Sequence, residues 1–192
     1  MASRFPPDDS AMRLLRRLAL VALALAPALA AAQALGPKRD PMQRFFTPSL
    51  GDLKAEAAEA RTAGKQAVFV MYTRDDCPYC ERMKRDVLAL EAVQDYYRGH
   101  FAVLAVDVRG AVPITDFAGT GTTEKGFAAA QGVKFTPVIV FYDFEGRPLA
   151  SHKGEIRDPR EFLLLGRFVA SGAYRTRSFA DYKQSTGSRK GT

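Results

Sequence analysis

Two cysteines sit where a strand pattern hands over to a helix pattern, and this junction constrains the chain more than anything else in it. Ala67 to Tyr72 (AVFVMY) is a short, nearly continuous apolar run rich in β-formers, as expected of a central strand buried on both faces. Thr73-Arg74-Asp75-Asp76 turns the chain, and Cys77-Pro78-Tyr79-Cys80 leads into a helix expected to reach about Leu90. Met83, Val87 and Leu90 share one face of it, while Glu81, Arg82, Lys84 and Arg85 share the other. At the start of a helix the unpaired N–H groups and the dipole favour negative charge. The thiolate is the reactive form of cysteine, so Cys77 is expected to be an ionised nucleophile, reachable by another protein. Pro78 suits the first helical turn, where its missing N–H is not required. Cys80 lies one turn on, close enough to attack a mixed disulfide formed by Cys77.

The chain has two cysteines in all. A Cys-x-x-Cys loop is too small to remove much unfolded-chain entropy, so its bond is a poor staple. Other uses of the pair have weaker support. A zinc half-site needs two more ligands, and His100 and His152 are each isolated in the sequence. Two thiolates also suit Cu(I) in a carrier module, and a purely structural disulfide is a third reading. No metal and no cofactor is expected.

Patterns along the chain predict one domain. Residues 35–49, with Gly36, Pro37, Pro41 and Pro48, read as an extended leader. Leu53, Ala57 and Ala60 mark a helix over 50–64, stopped by Gly64. A second helix is expected from Glu91 to Arg98, then a buried strand from Phe101 to Val108 (FAVLAVDV). Residues 109–123 read as a loop or insertion and Glu124 to Gln131 as a helix. Pro137 to Tyr142 (PVIVFY) forms a third strand, and Glu145-Gly146 turns it into a fourth, Leu149–Lys153. Asp158-Pro159 caps a last helix through Val169. The domain is expected over 50–174, followed by a polar tail over 175–192; Tyr174 at the domain's end and Phe179 and Tyr182 in the tail dock locally, and Ser185 onward is disordered. Strands joined by a helix should run parallel and the hairpin pair antiparallel. The fold class is α/β: a four-stranded mixed sheet flanked by helices.

The first 34 residues carry a different pattern. Arg13, Arg16 and Arg17 precede an apolar run from Leu18 to Ala30, which ends in small residues around Ala32 and Ala34. The run is shorter than the roughly 20 residues a membrane span needs, and the three parts together describe a secretory signal peptide over 1–34. Met12 makes a better start for that signal than Met1, and Arg16-Arg17 raises the twin-arginine route with weak support from its flanks. The whole chain carries a net charge of +7, and residues 1–32 hold four basic and two acidic residues, so the mature chain keeps a mild positive excess. The charges are scattered, with no basic run, so nucleic-acid binding is not suggested.

Thr136-Pro137 opens the third strand. A proline there costs no interior ladder bond. With a cis bond, the Thr136 backbone can face the cysteines and pair with an extended substrate; the residues alone leave cis and trans both open. Thr136, Pro137, Pro78 and Tyr79 are therefore the expected substrate contacts beside the catalytic pair, Cys77 and Cys80.

This order of elements, with Cys77-Pro78-Tyr79-Cys80 after the first strand and Thr136-Pro137 before the third, resembles the thioredoxin superfamily over about residues 50–172. A closer likeness is to the exported SoxW-like thioredoxins found beside sulfur-oxidation systems. It rests on Cys77-Pro78-Tyr79-Cys80-Glu81-Arg82-Met83, Val93-Gln94-Asp95-Tyr96-Tyr97, Thr115-Asp116-Phe117, Phe135-Thr136-Pro137 and Ser171-Gly172-Ala173-Tyr174. The resemblance implies that Pro137 is cis and that the mature protein works in the periplasm as a dithiol reductant. The expected partners are a disulfide-bearing protein and, from the compartment, an inner-membrane electron donor; the working form is expected to be a monomer. An oxidase or isomerase with the same site, or a glutathione-linked enzyme, are the alternatives. Four positions depart from typical thioredoxins. Pro78-Tyr79 stands for Gly-Pro, as in glutaredoxins; Met71 replaces a buried Asp; and Asp76 replaces a Trp. Asp75 and Asp76 oppose thiolate formation while Arg74 and Arg82 favour it, which leaves the potential open between about −270 and −120 mV.

Overall fold

The structure, a computed structural model, describes residues 35–187. The chain divides into Met1–Pro37 and Lys38–Thr192. The expected signal peptide, the start at Met12 and the last five residues of the tail lie outside the described residues. In chain order the elements are α1 (Pro41–Arg44), α2 (Leu53–Thr62), β1 (Ala67–Thr73), and α3 (Pro78–Met83), continued by a π-helical stretch Lys84–Leu88. There follow α4 (Glu91–His100), β2 (Phe101–Asp107), β3 (Pro113–Thr115), β4 (Gly121–Thr123), α5 (Glu124–Ala130) and β5 (Val138–Tyr142). The chain ends in β6 (Pro148–Lys153), α6 (Pro159–Ala170), a 3-10 turn Ala173–Arg175 and α7 (Phe179–Gly187). Among the described residues no helix is long and apolar enough to cross a membrane.

Four strands form one mixed sheet in the order β2-β1-β5-β6. β1 is parallel to β2 and antiparallel to β5, and β5 is antiparallel to β6. Every residue of β1 is buried. Alternate side chains of a strand point to opposite faces, so Phe69 and Met71 enter one core with Phe45, Tyr97, Phe141 and Phe162. Val68, Val70 and Tyr72 enter a second core with Leu104, Phe127 and Tyr142. A strand between two cores has to be apolar throughout, which is why AVFVMY shows no alternation. Side-chain caps set the helix starts: Asp52, Thr123 and Asp158 accept the N–H groups of Ala55, Gly126 and Arg160 at 2.9, 3.1 and 2.8 Å. Gly166 lets α6 approach α4, since a Cβ there would lie 2.8 Å from Cε1 of Tyr96. Tyr97 stacks on Phe162 at 4.2 Å and donates to its carbonyl at 2.6 Å.

Five expectations are corrected. Residues 35–49 are not simply extended: Asp40 and Pro41 start α1, and Phe45 and Phe46 after it are buried. The helix after Cys77 does not run regularly to Leu90; it loosens into a π-helical stretch whose buried residues are Val87 and Leu88. Residues 109–123 hold the hairpin β3-β4, because the Asp116 carboxylate accepts the N–H groups of Ala118 and Thr120 at 2.9 and 2.8 Å and closes the turn. The tail is helical through Gly187, where Phe179 and Tyr182 pack on Phe168 at 5.5 and 5.3 Å, so Ser185 is not in a structureless segment. Lastly, β2 and β5 are joined through a helix yet run antiparallel. Asp107 ends β2 opposite Thr73 while Val138 begins β5 opposite Tyr72, so the connection returns to the end of the sheet it left.

Candidate active site

The sheet brings two loops together at one end. β1 ends at Thr73 and its loop delivers Cys77, the N-cap of α3, whose sulfur accepts the Cys80 N–H at 3.2 Å. The cysteines form a disulfide with their Cα atoms 5.2 Å apart. From the other side comes the loop that opens β5. Its Thr136–Pro137 bond is cis, and the Thr136 carbonyl oxygen lies 3.6 Å from Cys77 Sγ. The Pro137 carbonyl accepts the N–H of Gly154, which follows β6, at 2.9 Å. Cys77, Cys80, Thr136 and Pro137 are thus one constellation, and Pro78 and Tyr79 lie exposed between the cysteines. Tyr79 is 52% exposed and so is Phe135, which precedes Thr136.

One expectation about this site fails. Cys77 is not an open sulfur: the residue is 2% exposed and Cys80 0%. The disulfide ties Cys77 Sγ inward to a fully buried partner, and the same sulfur caps the helix, so both interactions turn it away from solvent.

Several charges around the site are paired. Asp76 meets Arg74 at 3.0 Å and Arg109 at 2.9 Å. Arg82 meets Glu155 at 2.8 Å, and Arg157 meets the same carboxylate. Burial opposes ionisation of Glu155, but hydrogen bonds and charge from Arg82 and Arg157 win and hold its pKa below the usual value. The Arg82 guanidinium also covers the Tyr79 ring, 5.3 Å from its centre. Arg109 and Glu155 escaped sequence reasoning. Both lie in irregular segments, and nothing in their local pattern points to a site 33 or 73 residues away in the chain. Met71 is wholly buried in the core, where its side chain carries no ionisable group for the dithiol.

The histidines stand apart from the cysteines. His100 closes α4, with Nδ1 2.8 Å from the Tyr96 carbonyl and its ring stacked on Tyr96 at 4.2 Å. His152 is half-buried in β6, and burial pushes its pKa down. Among the described residues no three His, Cys, Asp or Glu side chains gather as a metal-holding group.

Fold and site define a thioredoxin-fold thiol–disulfide oxidoreductase with its Cys-x-x-Cys pair at bonding distance. The thioredoxin-like domain family matches residues 53–170, and the chain belongs to it. A thioredoxin-fold protein from Helicobacter pylori is similar in structure, with a TM-score of 0.54 and 22% identity over 65% of this chain and 82% of that one. The reduced C-terminal domain of DsbD from Neisseria meningitidis matches at a TM-score of 0.44 and 13% identity, over 59% of this chain and 89% of that one. A DsbH oxidoreductase matches at 0.44 and 21% identity, over 64% and 82%. No curated protein sequence matches the chain.

Proposed function

We propose that this chain is a periplasmic reductase of protein disulfides. The observation that supports it best is the 3.6 Å approach of the Thr136 carbonyl to Cys77 Sγ, beside a Pro137 whose neighbouring backbone can align an extended partner. In the reduced form the Cys77 thiolate attacks one sulfur of the partner's disulfide, a new S–S bond forms, and the partner's other sulfur leaves as a thiolate. Cys80, deprotonated, then attacks Cys77 Sγ, and the second partner sulfur leaves. Two electrons pass to the partner, which takes up two protons, and the Cys77–Cys80 disulfide remains. Thr136 and Pro137 align the partner's chain, while Pro78 and Tyr79 contact it between the cysteines. An inner-membrane dithiol donor reverses the exchange, because the bacterial periplasm is kept oxidising. The likeness to SoxW-like thioredoxins supports a sulfur-oxidation setting, and the N-terminal pattern supports export. The chain is taken to act as a monomer without a cofactor.

Burial of Cys77 belongs to the oxidised form in this reading. Reduction releases its sulfur from Cys80, and the partner meets it along the Thr136 loop. A redox titration tests the direction. A midpoint near the thioredoxin value of about −270 mV is expected, and one near about −120 mV makes the protein an oxidant instead.

A further inference from the structure

The back of the cis-proline loop carries a second feature that the dithiol chemistry does not use. A pocket of about 360 Å³ lies there, walled by Val133, Phe135, Val138, Val140 and Pro148 and rimmed by Lys134 and Lys153. That is the small end of the ligand-pocket range of about 300–1,000 Å³, and it suits a side chain better than a folded element. The pocket shares its loop with the active site. Val133 to Phe135 lead straight into Thr136 and Pro137, and Val138 follows them. Lys153 pairs with Val138 across the sheet, and the next residue, Gly154, holds the Pro137 carbonyl. Whatever sits in this pocket therefore lies against the residues on either side of Thr136 and Pro137, beside the carbonyl that faces Cys77.

Its charge is one-sided. No acidic residue lines the pocket. Both lysines are exposed and neither is ion-paired among the described residues, and the nearby Glu155 is already taken by Arg82 and Arg157. Apolar walls reward an apolar side chain, and two unpaired ammonium groups at the rim reward carboxylates beside it. The chain's own C-terminus, with Arg189 and Lys190, has the wrong charge to fill the site. A second copy of this chain, which keeps a positive excess even without residues 1–32, is also a poor complement.

We propose that this pocket docks the protein being reduced, taking an apolar side chain from a segment of that partner that also carries acidic residues. The proposal deepens the reductase reading above and rests on it for the identity of the occupant, but not for the binding itself.

The test uses a fluorescent, cysteine-free ten-residue peptide with a central Phe flanked by Asp and Glu, and a second peptide with Lys at the flanking positions. Anisotropy titration of the full chain should show the acidic peptide binding about ten-fold tighter, the size expected of two exposed charge pairs. Added salt should shrink that ratio, and Lys134→Glu with Lys153→Glu should invert it. Equal affinity for both peptides, or a preference untouched by the double substitution, overturns the proposal. So does a dimer in sedimentation that the double substitution dissociates, since the pocket then belongs to a second copy. A separate assay, reduction of hydroxyethyl disulfide by the reduced protein, keeps the two claims apart. Acidic preference without reduction contradicts the reductase reading alone, and reduction without acidic preference contradicts the docking site alone.

Discussion

Arg82 and Glu155 meet at 2.8 Å, Nε to Oε2, and that contact ties the two halves of the active site together. Arg82 lies over Tyr79, between the cysteines. Glu155 follows Gly154, whose N–H holds the Pro137 carbonyl. Tyr79, Arg82, Glu155, Gly154, Pro137 and Thr136 thus form an arc that closes on Cys77 Sγ.

Glu155→Gln removes the countercharge from the Arg82 guanidinium, which lies over the Tyr79 ring between Cys77 and Cys80 in sequence. A cation without its carboxylate favours a nearby thiolate, so alkylation of reduced Cys77 should extend to lower pH than in the unaltered protein. The pH dependence of iodoacetamide alkylation of the reduced protein reads this directly; an unmoved profile means that Arg82 does not act on the sulfur.

The same pair has a pH signature in stability. The folded-state pKa of Glu155 is depressed, so its contribution is present above the ordinary glutamate value and is lost as pH falls through the folded one. Urea midpoints of the unaltered protein and Glu155→Gln should differ at pH 7 and converge as the pH is lowered below about 4. A constant difference across that range would show that the carboxylate's charge contributes nothing.

Tyr72 and Tyr142 share a hydrogen bond of 2.6 Å in the second core, and Tyr142 reaches Gln131 Oε1 at 3.2 Å. Burial raises both phenols, that of Tyr142 to about 12. The neutral forms are favoured in the fold, so stability should fall as pH rises above the unfolded tyrosine value of about 10. Tyr142→Phe strands the Tyr72 hydroxyl and should cost about 1–3 kcal/mol in urea denaturation. The double change to Phe should cost less than the two single changes added together, because it leaves no phenol stranded.

Phe45 is fully buried, with ring centres 5.6 Å from both Phe69 and Tyr97. Phe45→Ala should therefore cost about 3–5 kcal/mol, the price of a large core cavity. A thermal or urea scan showing less than about 1 kcal/mol would mean that this segment packs only loosely in solution.

The elements legible in the sequence were those whose pattern is local. AVFVMY, FAVLAVDV and PVIVFY read as strands because continuous apolar runs of β-formers have few other uses, and Asp158-Pro159 marked a helix start. The Cys77–Cys80 pair and Thr136-Pro137 were legible because each carries its chemistry within a few residues. What was missed depends on distant partners. β3 and β4 are three residues each and exist through the Asp116 turn and each other. α1 was hidden behind its prolines, although Asp40 before Pro41 is itself a capping signal. The antiparallel course of β5 follows from where a long connection ends, and no pattern within the strand encodes that. The low exposure of Cys77 arises from the bond to Cys80 and from the cap, so a sequence that shows both cysteines does not show which way the sulfur turns.

The central claim is that Cys77, once reduced, attacks a disulfide on another protein. The most direct measurement is to mix reduced Cys80→Ser protein with insulin and map any adduct by non-reducing peptide mass spectrometry. A stable mixed disulfide is expected at Cys77, absent from Cys77→Ser. A reduced Cys80→Ser protein that forms no adduct while remaining folded would contradict it.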